Sequence, residues 1–392
     1  MEFKVDRLTI GPKHHLFGFH DLVQTNAKGD LALSLEIDDI SHPPLPGDCC
    51  RFGIVPASGG DFVTLGETHT WNYPQGARQQ WIGDSDLFTC NDRGDDGDVF
   101  AWVSDARSRR RIDRLSFPVH CINAEDGVAF WFDYDRVHAC GGYGYHPLNN
   151  GRAYRLTDIP DDDGIWSGDL KSGGKRLLVS IRQVAMCGAA CPVRTGYPHY
   201  LTHLMLNPSG RRIAFLHRYR LVDGGETTRL MTMGIDGTGL RCLAKGFLSH
   251  FTWISDNEIF IWGAHQPQLY SLREASWLRI PGLVQCVMLA KRGVKILRSI
   301  KGANVSGAKA AGQGKSFLVI SDKEEVSIEK VAVRVLVEDG HPMANPRNRQ
   351  FLINDTYPDS DGVRTLMTYD VKSNERCDIG RFSWCGARAL GP

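Results

Sequence analysis

The sequence has no surplus of charge of either sign and no long apolar run. Its 46 Lys and Arg face 45 Asp and Glu, so no whole-chain field recruits nucleic acid or an anionic membrane surface. No segment approaches the ~20 consecutive apolar residues that span a bilayer, so no membrane insertion is expected. The first residues, MEFKVDRLTIGPKHHLFGFHD, lack an apolar core followed by small residues. No export is therefore expected, and the location implied is cytoplasmic. Eleven cysteines, an odd number, include no CxxC pair. Buried thiols in a reducing compartment are expected rather than a disulfide framework.

Other signatures are missing as well. There is no Gly-x-Ser-x-Gly elbow, dinucleotide fingerprint, P-loop or kinase set, which removes the usual support for serine-nucleophile, nicotinamide and phosphoryl-transfer chemistry. Convincing helical periodicity is absent. The 42 glycines and nine tryptophans favour a turn-rich β protein instead.

What is present is a recurring turn and strand. The clearest copy is Tyr197 to Arg218, YPHYLTHLMLNPSGRRIAFLHR. Asn207-Pro208-Ser209-Gly210 reads as a hairpin turn, in which Pro pre-sets φ and Gly supplies a positive φ. Short apolar runs flank it, Leu204–Leu206 and Ile213–Leu216. His199 and His203 precede the first run and His217-Arg218 ends the second. A hairpin brings its outer ends together, so these three imidazoles and one guanidinium are expected on one rim of a sheet.

Echoes follow along the chain. Asn26–Asp30 leads into LALSLEI, Asn123–Gly127 into VAFWFDY, Lys171–Lys175 into RLLVSI, Ser255–Asn257 into EIFIW, and Asn345–Arg349 into QFLIND. Several copies stand about 40 to 60 residues apart, the period of a β-propeller blade. Asp98–Asp105 and Thr365–Asp370 read as outer strands. A blade of about 50 residues gives about six to eight blades, and seven is the number expected. The fold expected is therefore an all-β, seven-bladed β-propeller forming a single domain over residues 1–392. A hairpin-rich β-sandwich is the alternative, but it lacks so long a period. The stretch around 285–325, with GANVSGAKAAGQGK and many lysines, reads as a basic insertion or a degraded blade.

The 14 histidines stand largely at strand ends. In a propeller the innermost strands border the central channel, so histidines of the hairpin would meet His138, His250 and His341 from other blades at its mouth. Such imidazoles suit a divalent metal of the Mn or Zn type, or acid–base work near neutral pH. The acidic runs Asp95-Asp96 and Asp161–Asp163 lack calcium-loop spacing and read as solvated turns, so calcium fits less well. Cys187, Cys191, His199 and His203 form C-x3-C-x7-H-x3-H, nearly a structural zinc pattern; buried or loop thiols are the competing reading. Trp71-Asn72-Tyr73-Pro74-Gln75, Gln79-Gln80-Trp81, Tyr143–His146 and Asn354–Tyr357 mix flat apolar faces with polar groups, as sugar recognition requires.

The series HHLFGFHD, WNYPQGARQQW, CNDR, DYDRVHACGGYGY, THLMLNPSGRRIAFLHRYR, SHFTW and GHPMANPRNRQFLINDTYPDSDG resembles the seven-bladed β-propeller lyases that act on uronate polysaccharides, the oligogalacturonate lyase and ulvan lyase group. The resemblance runs from His14 to about Gly380, apart from the basic region. It implies β-elimination on a uronate-containing oligosaccharide or polysaccharide. A base takes the C5 proton, a cation or donor offsets the carboxylate, and an acid assists departure of the C4 oxygen. It implies Arg218 as carboxylate neutraliser, and His138 and Tyr143, with Tyr200 as an alternative, for proton transfer. Metal ligation falls to His203, His217, His250 and His341, with Gln75 as a companion. Substrate contacts fall to Trp71, Asn72, Gln75, Arg93, Tyr145 and Tyr357. His20 stands where relatives carry an aromatic residue. Relatives usually continue beyond Phe382–Arg388 through a further His-containing segment; without it the ring is expected either to be incompletely closed or to be completed by the early strand Phe3–Thr9. A non-catalytic glycan- or protein-binding propeller is the first rival. A glycoside hydrolase is the second, and would need paired carboxylates, for which Asp21, Asp92 and Asp355 are the nominees.

Overall fold

Turn-plus-strand repeats of this kind build antiparallel meanders, and the computed structural model is made of them. It describes residues 3–147, 156–188, 197–221, 225–267 and 314–383, with Gly282, Cys286 and Leu289. The first sheet runs in chain order through β1 (His14–Leu16), β2 (Leu31–Ile37), β3 (Cys50–Pro56) and β4 (Val63–Thr68). The second joins β5 (Gln80–Trp81), β6 (Leu87–Arg93), β7 (Val99–Asp105) and β8 (Arg110–Leu115). The third joins β9 (Cys121–Asn123), β10 (Val128–Trp131), β11 (Gly164–Asp169) and β12 (Lys175–Ser180).

A seven-stranded sheet follows: β13 (His199–Leu206), β14 (Arg212–Arg220), β15 (Glu226–Gly234), β16 (Arg241–Ser255), β17 (Glu258–His265), β18 (Ser316–Ser321) and β19 (Ile328–Val331). The last sheet holds β20 (Met343–Asn345), β21 (Asn348–Asp355), β22 (Val363–Asp370) and β23 (Glu375–Ser383). The long strand β16 explains the larger sheet. Its first part, Arg241–Gly246, pairs with β15, and Gly246–Ser255 pairs with β17 across a register shift. The sheet is thus two four-stranded meanders sharing one strand. The chain divides into two compact units, the first of Met1–Gln183 and Tyr200–Leu206, the second of Val184–His199 and Asn207–Trp384.

The expected turns all lie between paired strands or just before one. Two expectations need correction. Asp98–Asp105 and Thr365–Asp370 are not outer strands: β7 and β22 are the third of four, and β8 and β23 form the edges. Six-residue helices are present, α1 (Tyr134–Ala139) and α2 (Ile181–Met186), so His138 lies on a helix rather than at a strand end. The basic stretch around 285–325 is regular at its far end, where β18 pairs with both β17 and β19; most of its earlier part lies outside the described residues. Within it Lys315 stacks on Phe247, with Nζ 3.5 Å from the ring centre.

The cores sit between sheets within each unit. Leu33, Leu35, Phe52, Ile54, Trp81 and Phe88 fill one in the first unit, and Phe260, Trp262, Phe317, Leu352 and Tyr369 one in the second. Each such side chain contributes about 1.5–3 kcal/mol on full burial. The thiols of Cys50, Cys90 and Cys121 are buried, as expected, and burial pushes Cys121 up to about 12. Among the described residues no helix is long and apolar enough to cross a membrane.

Candidate functional site

In the second unit the loop before β20 and the end of β21 are tied by one carboxylate. Asp355, the last residue of β21, accepts from the His341 backbone N–H at 2.8 Å and from His341 Nδ1 at 2.7 Å. Close approach at Gly340 makes this geometry available: a Cβ there would lie 2.0 Å from the Asp355 carbonyl oxygen. Arg364 on β22 stands 3.4 Å from the other oxygen of Asp355. Burial opposes the charge on Asp355, but the His341 hydrogen bond and the Arg364 charge outweigh it and hold the carboxyl below its usual range.

His250 joins from β16. Its ring centre lies 4.2 Å from that of His341. Its Nδ1 stands 3.4 Å from Asp339 Oδ1 and 3.1 Å from Ser249 Oγ. Burial lowers the pKa of His250, with the charges of His341 and Arg218 acting in the same direction, so its imidazole is neutral at neutral pH. Arg218 on β14 is also within 3.6 Å of Glu226. The Tyr357 ring completes the cluster, 5.4 Å from His341 and 6.0 Å from the Arg364 guanidinium. Arg218, His250, His341 and Tyr357, all sequence candidates, therefore share one region of the second unit. Asp339 and the orienting role of Asp355 were missed. The signal for the first was the tripeptide Asp339-Gly340-His341, which sets a carboxylate two residues from a candidate imidazole.

The hairpin supplies a separate arrangement. The first strand starts at His199 and so includes both histidines expected to precede it. His199 Nδ1 and His217 Nε2 are 3.0 Å apart, and Arg229 Nη1 lies 3.5 Å from His217 Nδ1. Since a guanidinium only donates, His217 Nδ1 accepts, and its Nε2–H donates to His199. Burial, then the neighbouring His199 and Arg229, push His217 well below the ordinary imidazole value. His203 adopts a positive φ of 60°, which breaks the alternation of β13.

In the first unit His203 meets Phe19 and Tyr143, with ring centres 5.3 and 6.1 Å away. Tyr200 is buried. His138, on α1, packs against His146 with ring centres 4.2 Å apart. Burial lowers both pKa values, so both are neutral imidazoles at neutral pH. Arg93 forms a two-pronged pair with Asp135 of the same helix. Asn72 donates to the carbonyls of Tyr143 and Gly144, and Trp71 Nε1 to that of Asp48. Tyr145 is fully buried, stacked on Tyr134 and bonded to Asn91. Gln75 is buried too, and its carboxamide has no hydrogen-bond partner among the described residues; a bound ligand would satisfy such a group.

The carboxylates nominated for hydrolysis are all engaged. Asp21 takes both prongs of the buried Arg78 at 2.8 and 2.9 Å. Asp92 accepts from Trp102 and Thr68, and Asp355 from His341. A glycosidase general acid needs a raised pKa, whereas that of Asp355 is lowered. Of the nearly zinc-like set, Cys187 donates to the Leu240 carbonyl and Cys191 lies outside the described residues. Among the described residues no group of three or more His, Cys, Asp or Glu is gathered to hold a metal ion.

No family model matches the chain, and no curated protein matches it. Solved structures do. The oligogalacturonate lyase of Vibrio parahaemolyticus is similar with a TM-score of 0.55 at 11% identity, covering 98% of this chain and 84% of that one. An oligogalacturonate lyase in complex with manganese is similar with a TM-score of 0.54 at 13% identity, again covering 98% and 84%. At such identities the likeness is one of fold.

Proposed function

We propose that this protein is a lyase that cleaves a uronate-containing oligosaccharide or polysaccharide by β-elimination, on a seven-bladed propeller. The observation that carries the reading is the cluster of Arg218, His250 and His341, with its imidazoles set against Asp339 and Asp355. The C5 proton of a uronate is weakly acidic until its carboxylate charge is offset. Arg218 supplies a guanidinium for that carboxylate, a planar match to its two oxygens. His250 is neutral through burial, as a general base requires, and Asp355 fixes the ring of His341 for the complementary transfer to the departing oxygen.

The same pair has a second use. Imidazoles whose Nδ1 faces a carboxylate present Nε2 to a metal in many metalloproteins, and the lyase structure with manganese supports that reading by analogy. His250 and His341 would hold a divalent cation of the Mn or Zn type, with calcium less suited to nitrogen donors. Bound there, it would add positive charge against the uronate carboxylate.

The test is to incubate the protein with a panel of oligouronates and follow the ultraviolet absorbance of the unsaturated product, with and without a chelator. Turnover that survives chelation assigns the imidazoles to proton transfer; turnover lost on chelation and restored by Mn²⁺ or Zn²⁺ assigns them to the metal. Binding without any unsaturated product would leave the non-catalytic glycan-binding reading in its place.

A further inference from the structure

The outer strand β8 has the sequence Arg110-Arg111-Ile112-Asp113-Arg114-Leu115, preceded by Arg107-Ser108-Arg109. Residues 107–114 are exposed. Arg107 is neutralised by Asp30 and Asp86, at 2.8 and 3.0 Å. The next four arginines differ: among the described residues no carboxylate side chain pairs with Arg109, Arg110, Arg111 or Arg114. The one acid among them, Asp113, accepts the Arg114 backbone N–H.

Two of these guanidinia are held by aromatic rings. Arg111 lies over Trp102 at 4.5 Å and Phe52 at 5.3 Å, and Arg114 lies over Phe100 at 3.8 Å. The slot for Arg111 is shaped by Gly66, where a Cβ would lie 2.1 Å from the guanidinium. Stacking fixes the plane of an arginine without neutralising it and leaves N–H edges for an outside acceptor. Another edge strand, β23, holds its arginines differently. On β23, Arg376 pairs with Asp378 at 2.6 Å and Arg381 with Asp359 at 3.0 Å.

We propose that the edge of β8 is a docking strip for an extended acidic polysaccharide, bound through its carboxylates by Arg109, Arg110, Arg111 and Arg114. Charge complementarity selects an anion, and four guanidinia without a carboxylate partner among the described residues, spread from Arg109 to Arg114, suit an extended polyanion rather than a single small ion. A single-stranded nucleic acid would need open aromatic faces for base stacking, and here Phe52, Phe100 and Trp102 are covered by guanidinia. The choice of a uronate polymer rests on the functional reading above. The strip would hold a long chain while elimination proceeds at other residues, and short oligomers would not use it.

The experiment compares the full chain with its Arg109→Ala/Arg110→Ala variant, two exposed positions whose side chains support no contact in the fold. Calorimetric binding of polygalacturonate at low ionic strength is measured in an Arg218→Ala background, so that turnover does not consume the ligand. The double variant is expected to bind the polymer about three- to tenfold more weakly. In the otherwise native protein it should leave turnover of a trigalacturonate unchanged. Equal polymer affinity in the two proteins would overturn the proposal, as would tighter binding of single-stranded DNA than of polygalacturonate through the same arginines. If the native protein eliminates no uronate, the functional reading fails, while the binding comparison still decides the strip.

Discussion

Histidines and charged groups gather in both units, but they are used in opposite ways. In the second unit His250 and His341 each face a carboxylate through Nδ1, and an arginine stands near by. Those contacts orient the rings against carboxylates. In the first unit Arg78 is fully buried, holds Asp21 with both prongs and donates to the His120 carbonyl. His120 Nδ1 meets the Tyr134 hydroxyl at 3.0 Å, and Tyr134 stacks on Tyr145. There the polar groups bond to one another and to backbone. The difference separates polar residues bonded to one another and to backbone from polar residues grouped as a candidate site, although in sequence both are simply His, Arg and Asp.

The sharpest break in that comparison is expected at Arg78. Replacing it by Met leaves Asp21 as an uncompensated buried charge, which costs about 3–5 kcal/mol of stability. Urea unfolding should show the midpoint falling by a matching amount, and a shift below about 1 kcal/mol would place the pair among weak surface contacts. Next comes Arg218→Ala. Loss of the group that offsets the developing charge should lower the elimination rate by about 10²–10³-fold with the urea midpoint nearly unchanged. An equal fall in stability would move Arg218 into the structural class.

A smaller effect is expected from Asp355→Asn. The amide cannot offer His341 the same charged acceptor, and losing such an orienting partner typically costs about 10–100-fold. An unchanged rate with a lowered urea midpoint would mean that Asp355 serves only the loop.

Much of the meander was legible because its turns and strands are local. Polar turns precede apolar runs, and each was found between paired strands or before one. The edges were not legible. β8 and β23 are exposed and charged, so they carry no apolar run to mark them, and their neighbours β7 and β22 were read as outermost instead. The helices α1 and α2 are too short to display a period. At the site, Arg218, His250, His341 and Tyr357 stand out as residue types, but their convergence depends on contacts far apart in sequence, such as Asp339 with His250. The burial of Tyr145 and Gln75 was equally hidden, since an aromatic or amide beside glycine looks the same in a pocket and in a core.

The smallest expected effect is a slope rather than a loss. His120 is fully buried, and burial first, then the Arg78 charge, push its pKa well below the ordinary imidazole value. It is therefore neutral in the folded protein while the unfolded chain titrates near 6.5. Below that value the unfolded state binds a proton that the folded state refuses, so stability falls as pH decreases and is fully present above it. Over the interval from about pH 6.5 down to 5, this one histidine should contribute up to about 1.4 kcal/mol per pH unit. His250, also lowered by burial, should add a share of the same sign, although its hydrogen bond to Asp339 works against the shift. Melting temperatures measured across that interval should therefore decline toward acid. His120→Gln, which cannot titrate, should flatten the decline even if it lowers the temperature at pH 7, because a slope reports protons and an offset reports packing. A decline of equal steepness in the variant would assign the acid sensitivity to other groups and leave His120 as a hydrogen-bonded member of the core alone.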